Sequence, residues 1–119
     1  MRKAMALSAL ISAMVTLGAV WSFGWAALPV KIALENARVR VSEVTYNPGV
    51  PRERSIRAAD QVIVFLDDCR YQRTDSTTHE KTVRERKSGD VIWHSKGEDA
   101  PELVNLGSKP YRTLVIELK

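Results

Sequence analysis

Beyond residue 30 the apolar residues of this chain never recur at helical spacing for long enough to build a substantial helix. Short β-type runs separated by turn chemistry take their place. In Ala37 to Tyr46, Val39 and Val41 alternate with Arg38 and Arg40, the pattern of a half-buried strand. Asn47-Pro48-Gly49 turns the chain, and Pro51 keeps it irregular. Gln61 to Leu66 holds Val62, Ile63, Val64, Phe65 and Leu66 in succession, which predicts a strand covered on both faces. Asp67-Asp68 ends it, Cys69 to Thr74 begins another strand, and Asp75 to Glu80 reads as a polar hairpin loop. Lys81 to Lys87 carries its charges around Val83, which suits an exposed strand. Ser88-Gly89 leads into a strand from Asp90 to Ser95 that Gly97 closes, and a short strand follows near Leu103 to Leu106. After Gly107-Ser108-Lys109-Pro110 the last strand puts Arg112, Leu114, Ile116 and Leu118 on one face and Thr113, Val115 and Glu117 on the other. About eight short strands at this spacing predict an all-β sandwich or barrel.

The N-terminus stands apart. Arg2 and Lys3 form a positive head, and no charged residue follows from Ala4 to Leu28. Gly24-Trp25-Ala26 places small residues three before and one before a cut after Ala26. Residues 1–26 therefore read as a secretory signal peptide, 27–36 as a linker or N-terminal extension, and 37–119 as the one folded domain. The alternative is an uncleaved membrane anchor through residues 4–28, because the uncharged run is long enough to span a bilayer. Ser8, Ser12, Thr16, Gly18 and Ser22 dilute its apolar character and favour cleavage. Either way the domain is expected outside the cytoplasm: periplasmic or secreted, or anchored to the membrane and facing away from the cytoplasm.

The formal charge of +4 comes from eighteen Lys and Arg against fourteen Asp and Glu. Arg2 and Lys3 belong to the leader, and the remaining basic residues are interleaved with acidic ones. That is an ordinary solvated surface and excludes a nucleic-acid footprint. Cys69 is the only cysteine, so no intramolecular disulfide is available, and it reads as a small residue near a turn. Stability must come from burying apolar side chains in a closed or two-layered β core.

Five residues separate Gly89 from Ser95, Gly97 follows, two residues separate it from Ala100, and Asn105 comes after. This order resembles the second motif of the cupin family: Gly, five residues, Pro-x-Gly, two residues, His, with an Asn soon after. The first motif is legible as a frame in Pro48-Gly49, the strand QVIVFL and the hairpin after Asp67-Asp68. With Cys69 at its final glycine, Val62 stands at the glutamate position and Ile56 and Ala58 at the two histidine positions. Sliding by one residue gives Ser55 and Arg57 instead, and neither register supplies a histidine. The resemblance implies a single cupin-like antiparallel β-barrel of the jelly-roll type over residues 37–119. Such barrels often hold a metal on three histidines and a glutamate. The residues at those positions here are different, so no metal and no cofactor is predicted.

The chain has only His79 and His94. His79, between Thr78 and Glu80, reads as a solvated loop residue. His94 stands beside Trp93 on a strand, so one of the two faces inward, and it reads as structural or pocket-lining. A substitute metal site from His94 with Asp99 or Glu102 lacks a third donor. Arg52, Glu53, Arg54 and Arg57 occupy the segment that would carry the first motif, near the barrel mouth. Three guanidinium groups there could grip a carboxylate or phosphate. The preferred reading is a solvated loop with Glu53 as local counter-charge. Asp67-Asp68 and Glu98-Asp99 read as strand-end turn residues, and no glycine-rich phosphate loop or nucleophile elbow is present.

The expected role is a non-enzymatic small-ligand-binding or accessory protein whose ligand lies inside the barrel. One alternative is an enzyme with an atypical or metal-free site for a small anionic or carbohydrate-like substrate. Another is a structural or interaction protein, with a homodimer as one form it could take. Arg54, Arg57, Tyr71, Trp93 and His94 are the candidate ligand-binding residues. The deciding feature is whether the interior around Ile56, Ala58 and Val62 is open or packed solid.

Overall fold

A computed structural model describes residues 28–119, so the segment read as a signal peptide or anchor (1–26) lies outside the described residues. The described residues form ten strands and no helix. These are β1 (Val30–Glu35), β2 (Val39–Tyr46), β3 (Ser55–Ile56), β4 (Asp60–Phe65), β5 (Cys69–Thr74), β6 (Lys81–Arg86), β7 (Val91–His94), β8 (Asp99–Ala100), β9 (Glu102–Asn105) and β10 (Tyr111–Leu118). One sheet has five strands in the order β1-β2-β10-β4-β7, a second has three in the order β6-β5-β9, and β3 pairs with β8. Every strand pair is antiparallel. The inner faces of the two larger sheets meet in a core of Tyr46, Ile63, Phe65 and Tyr111 from one and Tyr71 from the other. The result is an all-β barrel of jelly-roll type.

Two departures from the sequence expectation have simple causes. The stretch read as a linker, 27–36, contains β1, which pairs with β2 from Val30↔Val44 to Glu35↔Arg40. All six residues of β1 are exposed because the strand forms the edge of its sheet, and a register shift between Ile32 and Leu34 breaks its alternation. The sequence does alternate Val30, Ile32 and Leu34 with Lys31, Ala33 and Glu35, a period-2 signal that the reading as a linker beside the leader passed over. The second departure is β4, expected to be covered on both faces. It alternates strictly, with Gln61, Ile63 and Phe65 buried and Asp60, Val62 and Val64 only half-buried. The outer face is sheltered by cross-strand neighbours alone: Ile116 and Trp93 flank Val62, while Leu114 and Val91 flank Val64.

Aromatic rings fill the core. Tyr46 and Tyr111 stack with centroids 4.7 Å apart and planes 6° from parallel. Phe65 and Tyr71 stack at 6.3 Å, and the Arg86 guanidinium lies 5.6 Å from the Phe65 centroid. β10 behaves as its alternation predicts, with Tyr111 and Thr113 buried and Arg112 exposed between them. The Arg112 guanidinium closes on both oxygens of Asp67, at 3.0 and 3.1 Å, and so fixes the turn after β4. That hydrogen bond holds the Asp67 carboxyl below its ordinary range.

Asn105 ends β9 and is 3% exposed. Its amide nitrogen donates to the carbonyls of Tyr46 and Lys109, both at 2.8 Å, and its side-chain oxygen accepts the Gly107 N–H at 2.7 Å. One side chain thus joins the end of β2, the end of β9 and the turn before β10.

Candidate functional site

The segment between β2 and β4 is a strap laid along residues 97–105. Pro48 and Pro51 deny it a continuous ladder, so it is held at intervals. Arg52 and Leu103 exchange backbone hydrogen bonds at 2.8 and 3.1 Å. Ser55 and Ile56 pair with Ala100 and Asp99. The Arg57 N–H donates to the Glu98 carbonyl at 3.0 Å, and the Gly97 N–H donates to the Arg57 carbonyl at 2.8 Å. Gly97 meets Arg57 from a turn at φ 86°, a conformation that glycine adopts without strain. These ties fix the strap against the barrel and aim Arg52 and Arg57 inward.

Two cavities adjoin beneath the strap. The outer one, about 530 Å³, is lined in part by Leu28, Val30, Ile56, Ala58 and Val115, and the inner one is about 190 Å³. Tyr46, Arg52, Arg57 and Ile63 border both. The interior around Ile56 and Ala58 is therefore open. Val62 takes no part, because it lies on the outer face of β4 and leaves the inward position to Gln61. The register that puts Ser55 and Arg57 at the histidine positions is thus the one that the strand alternation follows.

Arg57 is 9% exposed. Its Nη1 donates to Gln61 Oε1 at 2.9 Å, and Gln61 Nε2 donates in turn to Glu117 Oε2 at 3.2 Å. Burial, followed by the charge of Arg52, pulls the Arg57 guanidinium below its ordinary range. Arg52 donates from Nη1 to the Tyr46 hydroxyl at 3.4 Å and from Nη2 to the Pro101 carbonyl. Among the described residues, three buried side-chain polar atoms have no hydrogen-bond partner: Arg52 Nε, Arg57 Nε and Thr113 Oγ1. Thr113, on the inner cavity wall, is 2% exposed.

Arg73, Arg84 and Arg86 also line the inner cavity, which contains two carboxylates, Glu98 and Asp99. Both carboxylates are engaged elsewhere. Glu98 holds His94 Nδ1 at 2.6 Å and the Ser95 N–H at 2.9 Å. Asp99 accepts from the Ser76 hydroxyl and from Arg54 Nε, each at 2.6 Å. The Ser95 N–H and then His94 lower the Glu98 carboxyl, while Ser76 and then Arg54 lower that of Asp99. Arginine outnumbers carboxylate five to two along this wall, whereas Glu53 and Glu117 match Arg52 and Arg57 around the outer cavity, so the positive charge is concentrated in the inner cavity.

Arg57, Tyr71 and His94 converge on the inner cavity. Arg54 does not, because its head is bound to Asp99 on an exposed rim. Trp93 is 53% exposed on the outer face, with its indole N–H on Ser95 Oγ at 3.0 Å. The pairing Gln61↔His94 sets which of the two neighbours faces inward: Gln61 is buried, so His94 shares its face and Trp93 takes the other. Sequence reasoning left out Gln61, Arg73, Arg84, Arg86 and Thr113, and treated Arg52 as part of a solvated loop. Among the described residues, no three His, Cys, Asp or Glu side chains come together as a metal-holding group. His79 stands in the β5–β6 loop at φ 63°, and its N–H donates to the Asp75 carbonyl at 2.9 Å.

Cys69 is a half-buried free thiol, and burial pushes it up to about 11. Thiolate is scarce at neutral pH in consequence. Ellman's reagent at pH 8 is expected to modify the folded protein about a hundredfold more slowly than the urea-unfolded chain. Equal rates would show a thiol open to solvent.

No protein-family model and no curated protein matches the chain. Solved structures do. A cupin domain from Bordetella pertussis Tohama I is similar with a TM-score of 0.69 at 17% identity, over 82% of this chain and 99% of that one. The polyketide cyclase RemF from Streptomyces resistomycificus is similar with a TM-score of 0.60 at 16% identity, over 75% of this chain and 63% of its own. The DMSP lyase DddQ from Ruegeria pomeroyi DSS-3 is similar with a TM-score of 0.57 at 14% identity, over 78% of this chain and 47% of its own. At these identities the likeness speaks for the fold and leaves the chemistry to the residues in place. The two sheets, the inward strap and these neighbours agree: the chain folds as a cupin barrel.

Proposed function

We propose that this barrel is an exported binding protein that holds a small molecule in its paired cavities and performs no chemistry on it. The observation that carries the reading is the open, arginine-bordered interior, where a protein without a ligand would gain by packing apolar side chains. The barrel's inner wall also carries a fixed cation where the family motif would carry a ligand for one. Arg57 and Gln61 stand at a histidine and the glutamate position of that motif, and they hydrogen-bond to each other at 2.9 Å. A guanidinium needs no metal to present positive charge.

Entry is through the outer cavity, whose walls are mainly apolar, and bound ligand is drawn away from water toward Arg52 and Arg57. A compound screen read by thermal unfolding of the full chain tests the reading. A compound present at a hundred times its Kd raises stability by about 2.7 kcal/mol, several degrees in Tm. Substituting Ile56 by Trp, which fills the outer cavity from an exposed position, is expected to abolish that shift. Export is tested separately by N-terminal sequencing of cell-derived protein, which is expected to begin at Ala27.

One observation favours an enzymatic reading. His94 lines the inner cavity with Nδ1 held by Glu98, an arrangement suited to a base on Nε2. The cyclase and lyase among the structural neighbours are enzymes on the same fold. Product analysis separates the readings: a compound found to bind is expected to be recovered unchanged after incubation with the full chain. Conversion that is lost in His94→Ala would overturn the binding-protein proposal.

A further inference from the structure

We infer that the ligand is an organic anion with an apolar body: Arg52, Arg57 and Thr113 take its oxyanion head group at the junction of the cavities, and its body fills the outer one. The inference rests on the small-ligand reading above and adds the chemical class.

Every acceptor that Arg52 and Arg57 already have is neutral: the Tyr46 hydroxyl, the Pro101 carbonyl and the Gln61 amide oxygen. Among the described residues neither guanidinium has an ion-pair partner, whereas the exposed Arg40, Arg54 and Arg112 all do. Two like charges therefore border one interior space with no protein carboxylate paired to either, in surroundings where water screens them poorly. Each also keeps its Nε–H unpartnered, and the Thr113 hydroxyl on the same inner wall is unpartnered too. Buried donors are rarely left in that state. Water could accept their hydrogen bonds but would bring no charge. A carboxylate or phosphate oxygen supplies both the lone pairs and the negative charge, and a guanidinium fork matches its geometry.

The nearby carboxylates do not fill this role: Glu98 and Asp99 are bound to His94, Ser95, Arg54 and Ser76, Glu117 is bound to Gln61 and Arg40, and Glu53 lines the outer cavity without a hydrogen bond or ion pair to either guanidinium. Thr113 borders the inner cavity and not the outer, which places the head group on the inner side of Arg57. From there the outer cavity leads away between Leu28, Val30, Val44, Ile56, Ile63 and Val115. Its volume of about 530 Å³ lies in the range of sites that enclose small organic molecules, and a bare inorganic anion would leave it empty.

Calorimetric titration of the full chain with 4-tert-butylbenzoate, 4-tert-butylphenyl phosphate, 4-tert-butylbenzamide and inorganic phosphate tests the inference. The two organic anions are expected to bind saturably, with the amide and inorganic phosphate weaker by about tenfold or more. Which organic anion binds tighter identifies carboxylate or phosphate as the preferred head. Arg57→Met is expected to weaken the anions at least tenfold and leave the amide unchanged, and Thr113→Val to weaken them about threefold. Comparing acid with amide on the unaltered chain keeps the test valid should Arg57→Met fold poorly. Amide and acid binding alike would overturn the anion assignment and leave the small-ligand reading standing. Inorganic phosphate binding as tightly as the organic anions would overturn the apolar body. No binding by any of the four would count against both.

Discussion

Replacing Tyr111 by alanine is expected to destabilise the barrel by about 4 kcal/mol, within the range for deleting a large aromatic side chain from a packed core. Tyr111 is 2% exposed, stacks on Tyr46 at 4.7 Å and lies 6.5 Å from Phe65 and 6.3 Å from Tyr71, centroid to centroid. Its ring touches both sheets, so its loss opens a cavity that neither sheet can close alone. A domain of this size has only about 5–14 kcal/mol of net stability, which makes the loss a large fraction of the whole. Urea unfolding followed by tryptophan fluorescence measures it. Tyr111→Phe keeps the ring and is expected to change stability by about 1 kcal/mol or less. An alanine variant within about 1 kcal/mol of the parent would mean that the aromatic cluster is not packed as described.

Asn105→Ala is expected to cost about 3 kcal/mol, corresponding to a fall of roughly 15 °C in Tm. The side chain contributes almost no apolar contact area, so a loss of that size comes from hydrogen bonding. Alanine leaves the Tyr46 and Lys109 carbonyls and the Gly107 N–H without their side-chain partner. Asn105→Asp separates the contributions: it keeps the acceptor for Gly107 and loses both donors. A stability near that of the alanine variant is expected, with differential scanning calorimetry as the readout. If Asn105→Ala unfolded within a few degrees of the parent, solvent would have to satisfy those groups as well as Asn105 does.

The asparagine was visible in the sequence as a spacing, and its physical reason became visible only in the fold. The same division runs through the molecule. β10 and β2 could be read because polar and apolar residues alternate and turns bound them. β4 concealed its alternation, since five apolar residues in succession give both faces the same signal. β1 alternates in sequence as Val30, Ile32 and Leu34 against Lys31, Ala33 and Glu35, yet all six residues are exposed, so its pattern signals a strand and not its burial. At the site, His94 and Arg57 were nominated, yet Arg54 and Trp93 were nominated beside them with equal reason. Which member of each pair faces inward depends on partners far along the chain, Asp99 for Arg54 and Gln61 for His94. Arg84 and Arg86 could not be found from the sequence. In a strand charged on both faces, period 2 gives no sign of direction, and only the pairings Tyr71↔Arg84 and Cys69↔Arg86 supply one.

The edge strand has a consequence for what a barrel of this kind could come to hold. Leu28 and Val30 form one side of the outer cavity, yet Val30 is 61% exposed and belongs to a strand exposed along its whole length. Substitutions at such positions usually shift stability by about 0.5 kcal/mol or less. At Val30 and Ile56 the boundary against the ligand's body is therefore nearly uncoupled from the aromatic core that keeps the chain folded, whereas Leu28, Val44 and Val115 pack against that core. Selection could reshape that boundary residue by residue and admit longer, shorter or branched guests, while Arg52 and Arg57 go on meeting the same charged end.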